Sequence, residues 1–179
     1  MTHPSRSRPA AADHSLTDPR LLPMPALFAA GNPGAISVDV RHCHHGPVGT
    51  RLWRLLVESG LLPEPEPGHY HDEYLLDRGL GITDLVKRAT RRGTDAKPEE
   101  LAAGRERVLQ IIKRYKPGVV CGVYKRALEV LLGRSLRGEW GLLADEPVGG
   151  VKVFALRWAY VEWEVALASV RELRRVAEV

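Results

Sequence analysis

The chain has 179 residues, 44% of them hydrophobic and 27% charged, enough for one core-forming domain and too little for two of ordinary size. No apolar run approaches the ~20 residues that cross a bilayer, and the two cysteines, Cys43 and Cys121, cannot build a disulfide framework or a four-thiolate cluster. The 26 basic residues against 22 acidic ones leave +4, which is compatible with a polyanionic partner without requiring one.

Residues 1–25 carry five prolines among Arg, Ser and Ala, with no apolar stretch of signal-peptide length. A disordered lead over 1–25 and a single domain over 26–179 are expected, at a reducing, cytoplasmic address. Leu27-Phe28-Ala29-Ala30 predicts a buried strand stopped by Gly31-Asn32-Pro33-Gly34. No period holds from Ala35 to Gly49, so a long loop is expected there. Thr50 is then placed as the N-cap of a helix with Leu52, Trp53, Leu55 and Leu56 on its apolar face, ending at Gly60.

After a Pro/Glu break at 63–68, Glu73 to Leu80 predicts a helical turn and Gly81 to Val86 an irregular or short extended segment. Lys87 to Lys97 is a basic connection. Pro98 opens a helix to about Tyr115, Val119 to Val123 reads as a buried strand, and Lys125 to Leu132 as a helix stopped by Gly133. Val151 to Leu156 is the last strand. Trp163, Ala166, Val170, Leu173 and Ala177 mark a C-terminal amphipathic helix with Arg171, Arg174 and Arg175 outside. Strands alternating with helices predict an α/β fold, a three-layer α/β/α sandwich around a short, mainly parallel central sheet.

Gly31-Asn32-Pro33-Gly34 ends the first strand, where open α/β sheets place their ligands. Glycines let backbone approach a substrate, and the Asn32 amide can orient a water. The plainer alternative is a turn whose Asn and Gly only satisfy unusual dihedrals. Arg41-His42-Cys43-His44-His45 has the donor types of a zinc site, but adjacent residues rarely all face one ion and no second ligand pair follows. Stackable, protonatable rings facing a pocket are the expectation, with no metal and no cofactor. Asp39, Asp72, Glu73, Asp77 and Asp84 are general-base candidates that no spacing pairs. Basic residues recur at Lys87, Arg88, Arg91 and Arg92, at Lys113, Arg114 and Lys116, and at Arg134 and Arg137; such runs are usually wet surface. Trp53 and Trp163 stand at helical core spacing.

Several segments in order resemble the mismatch-specific uracil-DNA glycosylase and thymine-DNA glycosylase family of the uracil-DNA glycosylase superfamily. They are Ala30-Gly31-Asn32-Pro33-Gly34, Thr50-Arg51-Leu52-Trp53, Leu75-Leu76-Asp77-Arg78, Gly81-Ile82-Thr83-Asp84-Leu85-Val86-Lys87-Arg88-Ala89-Thr90, and Lys116-Pro117 before the strand Val119 to Val123. The resemblance spans about Leu27 to Val179. It implies an enzyme of base-excision repair that flips a uracil or a related deaminated or mismatched base out of DNA and hydrolyses its N-glycosidic bond. By the same resemblance Asn32 positions the water, Gly31, Gly34 and Ala35 supply pocket backbone, and His45 falls where the family stacks an aromatic residue on the flipped base. DNA is the implied partner, with no membrane and a monomeric chain.

The family's second active-site motif is replaced by Leu156-Arg157-Trp158-Ala159-Tyr160-Val161-Glu162-Trp163. There Arg157 and Trp158 are candidate DNA contacts, and Trp158 is equally a candidate for the core. Two other readings stay open: a glycosylase-like DNA- or nucleotide-binding module, and a hydrolase of a small nucleoside-like ligand.

Overall fold

Five consecutive apolar residues, Ala26–Ala30, form β1, and all five are buried. An unbroken run of this kind suits the middle of a sheet covered on both faces. The computed structural model describes residues 24–90 and 95–179, so most of the expected lead, together with Arg91 and Arg92, lies outside the described residues. β1 pairs in parallel with β2 (Gly81–Asp84) on one side and β3 (Val119–Gly122) on the other. β3 pairs in parallel with β5 (Val151–Ala155), and β4 (Gly141–Val148) closes the edge antiparallel to β5. The sheet order is therefore β2-β1-β3-β5-β4.

Side-chain alternation along the strands divides the core in two. Phe28, Cys121 and Phe154 face one way, against α2 (Pro47–Glu58) and α5 (Trp163–Ala177). Leu27, Val120 and Val153 face the other, against α3 (Pro98–Tyr115) and α4 (Lys125–Leu132). The result is the expected α/β/α sandwich with a mainly parallel centre.

Helix boundaries follow local chemistry. Pro98 opens α3, and the Glu100 carboxylate accepts the Lys97 N–H at 2.9 Å. α4 stops at Gly133, which takes φ +73° and returns its N–H to the Glu129 carbonyl.

Two expectations are corrected, and one element is added. The stretch 35–49 is not one long loop: Ala35–Val40 forms a short helix, α1. Thr50 is not an N-cap, because α2 begins at Pro47 after Gly46, and the Thr50 hydroxyl donates to the Gly46 carbonyl within the first turn. Gly141–Val148, assigned no element above, is β4, joined to β5 through Gly149-Gly150 at φ +61° and +81°. Positive φ at both central residues gives the tight two-residue hairpin turn that matches strand twist.

Candidate active site

The chain leaves β1 toward β2 on one side, whereas β3 continues toward β5 and β4 on the other. A crevice outside the carboxyl ends of β1 and β3 follows from that reversal. Gly31-Asn32-Pro33-Gly34 occupies it. Backbone hydrogen bonds from Leu85 to Ala30 and from Val86 to Gly31, at 2.9 and 2.8 Å, prolong the β1–β2 pairing into this segment. Asn32 Nδ2 donates to Thr90 Oγ1 at 2.7 Å and to the Pro33 carbonyl at 3.2 Å. Both bonds leave from the amide nitrogen, so the rotamer is set and Oδ1 is the atom available to accept from a water.

Gly34 has φ −75°, and Gly31 is not among the residues with positive φ. A Cβ built on either would meet nothing within 4 Å. These glycines leave room beside the Asn32 amide; they do not serve an unusual dihedral. Ala35 follows as the first residue of α1.

The loop between α1 and α2, which follows the Asn32 segment, is clasped to a 3-10 turn at His71–Tyr74. Asp72 accepts from His42 Nδ1 at 2.9 Å and from the Cys43 N–H at 2.7 Å. The His42 ring stacks on Tyr70 with centroids 3.6 Å apart, and His71 stacks on Trp53 at 5.5 Å. His45 donates its N–H to Ser37 Oγ and meets Tyr70 edge-on at 5.1 Å. Burial pulls the His44 imidazole pKa down to about 4 against the opposing field of Asp72, and His71 is lowered by burial as well. The His44 and His71 rings thus pack as neutral aromatic surface. Among the described residues no group of three His, Cys, Asp or Glu side chains is arranged to hold a metal ion.

On the far side, α3 fixes the end of β2. The Arg107 guanidinium donates to the carbonyls of Asp84 and Leu85 and to Thr83 Oγ1. A Cβ on Gly104 would lie 2.0 Å from the Leu85 carbonyl oxygen, so only glycine lets the helix come this close.

The connection from β5 to α5 is short and pinned. Trp158 is 1% exposed and donates Nε1–H to the Val123 carbonyl, and Arg51 donates to the carbonyls of Trp158 and Val161. The expected DNA contact at Trp158 is corrected on that ground: a ring this deep, with its only polar atom satisfied, belongs to the core. Arg157 is exposed, with its guanidinium 5.9 Å from the Trp140 ring centroid. Trp163 is only partly buried and lies under the guanidinium groups of Arg51 and Arg54, each 5.1 Å from its centroid.

The family model described as the Uracil DNA glycosylase superfamily matches residues 24–166. That span holds every element from β1 to the first turn of α5. The chain belongs to the uracil DNA glycosylase superfamily. It is also 32% identical over 117 residues to the G/U mismatch-specific uracil DNA glycosylase of Schizosaccharomyces pombe, a match covering 62% of this chain and 36% of that relative. The chain therefore spans little more than a third of the curated relative it matches.

Within this superfamily fold, the pairing of several crevice residues was not legible from sequence. Thr90 touches Asn32 across 58 positions, and Asp72 touches His42 across 30; no spacing rule links residues so far apart. Arg107 is assigned no role by the sequence. Tyr124 follows β3, and its phenol is pushed up to about 12 by burial, then by the nearby Tyr160 and Asp84, which places all three around the same sheet edge. Of the basic runs, Arg88 is paired with Glu100 and Arg134 with Glu139, so those two charges are neutralised locally.

Proposed function

We propose that the chain hydrolyses the N-glycosidic bond of uracil, or of a related deaminated or mismatched base, after that base has been rotated out of DNA into the crevice at Asn32. The observation that carries this reading is the Asn32 side chain, held by Thr90 with its carbonyl oxygen left for a water, at the switch point of a superfamily sheet. Bond breaking leaves an oxocarbenium-like sugar and a departing base anion, so the site must place a water near the sugar and stabilise negative charge on the base. Asn32 Oδ1 orients the water. Backbone at Gly31, Gly34 and Ala35 lines the base, and the His45 ring stacks on it, with the clasp at Asp72 holding that loop in place. Because its neighbours His44 and His71 are kept neutral by burial, those two rings add no positive charge near the developing cation. Arg157 contacts the DNA strand. Action on DNA implies an enzyme working inside the cell; among the described residues no helix is long and apolar enough to cross a membrane.

The test is a panel of labelled oligonucleotides, single and double stranded, holding uracil, a G·T mismatch or hypoxanthine. They are incubated with the full chain and then treated with alkali to cleave abasic sites. Cleavage at uracil is expected. DNA binding without cleavage on any substrate would replace this reading with a binding module, which the short, pinned β5–α5 connection favours. Hydrolysis of free deoxyuridine with no action on DNA would replace it with a nucleoside hydrolase.

A further inference from the structure

Four residues outside the Asn32 loop share its edge of the sheet. The register aligns Ala29 with Gly122, Gly122 with Ala155, and Ala155 with Gly141. Lys125, shortly after β3, Trp140, directly before β4, and Arg157 and Tyr160, beyond β5, therefore stand along one line with the end of β1. Three strand spacings of about 4.8 Å put Trp140 roughly 14 Å from the Asn32 loop, far enough for one DNA strand to fill crevice and edge together.

The chemistry of this line is aromatic and cationic. Trp140 is 41% exposed, with Lys125 Nζ 3.8 Å from its ring centroid and the Arg157 guanidinium standing off at 5.9 Å. Lys125 also donates to the Leu136 carbonyl at 2.7 Å, which holds its ammonium over the ring. Tyr160 is 94% exposed at φ +59°, a backbone region uncommon for a bulky side chain. Its backbone is not loose. Arg51 grips the carbonyls on either side of it, at Trp158 and Val161, and the Arg157 N–H donates to Ser169 Oγ at 3.0 Å. The chain thus presents a large ring to solvent from a fixed loop, at the same sheet edge as a second exposed ring with two cations near it.

A positive track with aromatic faces is the combination that binds unpaired bases, since every base has a face to stack and the backbone follows the charge. Residues 156–162 are short and held at 157, 158 and 161, so the side chain this connection offers to DNA is the exposed Tyr160 ring. We propose that Trp140, Arg157 and Tyr160 form a stacking platform for unpaired bases beside the crevice, and that the preferred substrate class is single-stranded or locally opened DNA. This rests on the reading of Asn32 as acting on a base in DNA, and it adds what holds the rest of the strand.

The test measures binding and not base release. Fluorescence anisotropy of a labelled 15-mer lacking uracil, as single strand and as duplex, is recorded with the full chain and with Trp140→Ala, Trp140→Phe and Tyr160→Ala. The wild type is expected to bind the single strand at least about tenfold more tightly than the duplex. Trp140→Ala and Tyr160→Ala should each weaken single-strand binding about tenfold, while Trp140→Phe keeps most of it. Unchanged thermal midpoints would show that these exposed positions do not report on folding; if Trp140→Ala unfolds, Tyr160→Ala and Trp140→Phe decide. Duplex binding as tight as single-strand binding, wild-type affinity in both alanine variants, or no binding to either DNA would overturn the proposal. Because the oligonucleotide holds no uracil, failure of the hydrolytic reading shows separately, as intact binding without base release.

Discussion

Asn32 has two amide protons and one carbonyl oxygen, and Thr90 together with the Pro33 carbonyl takes up the nitrogen end. The proposed hydrolysis needs that oxygen held to within a fraction of an ångström, because a misplaced catalytic group costs rate steeply. Thr90→Val, which keeps the shape and removes the hydroxyl, is expected to slow uracil release about a hundredfold with little change in DNA affinity; Thr90→Ser should restore most of the rate. Equal single-turnover rates for Thr90→Val and wild type would show that the amide is set by something else. Trp158 illustrates the opposite case at this scale. From sequence it could be a DNA contact or core, and only its hydrogen bond to Val123 and near-zero exposure separate the two.

At the scale of elements, the legible parts were those with local punctuation. α3, α4 and α5 have a proline or glycine at a boundary, or an unbroken three-four period, so their ends fall where the residues predict them. α2 begins four residues before the expected start because Pro47, an N1 residue after an uncapped glycine, carries a weaker signal than Thr50. β4 was not found because its second half contains Asp145, Glu146 and Pro147, tolerated on an edge strand but not in a buried one. The crevice loop escaped for a different reason: its order comes from Asp72, far away in sequence. Asp72→Asn is expected to lower stability by about 2 kcal/mol, the scale of a hydrogen bond to a charged group, and to raise KM more than it lowers kcat, checked by urea unfolding and steady-state release. Gly104→Ala forces its methyl into the Leu85 carbonyl, 2.0 Å away. It should cost about 1–3 kcal/mol and displace the β2 end that carries the chain toward Thr90, seen as a lower thermal midpoint with reduced release.

For the whole molecule, the pH dependence of folding follows from the buried rings. His44 titrates near 4 when folded and near 6.5 when unfolded. Between those values the unfolded chain binds a proton that the folded chain refuses. Stability therefore rises with pH across the window and is lost as pH falls from about 6.5 toward 4, by on the order of 2 kcal/mol from this one partly shielded ring. His71, also lowered by burial, acts in the same direction. Urea midpoints at pH 7 and pH 4.5 should differ clearly for wild type and less for His44→Asn, a replacement that tolerates the left-handed backbone His44 adopts. Equal differences would remove His44 from the explanation.

The sandwich carries Asn32 to the carboxyl edge of its sheet, and the central claim is that this amide directs water onto a sugar. Single-turnover release of uracil from single-stranded and duplex oligonucleotides, measured beside binding for wild type and Asn32→Ala, tests it most directly. The account predicts release by wild type, slowed at least about a hundredfold in the variant, with DNA affinity within about threefold. Full activity in Asn32→Ala, or no release by the wild type from either DNA, would contradict it.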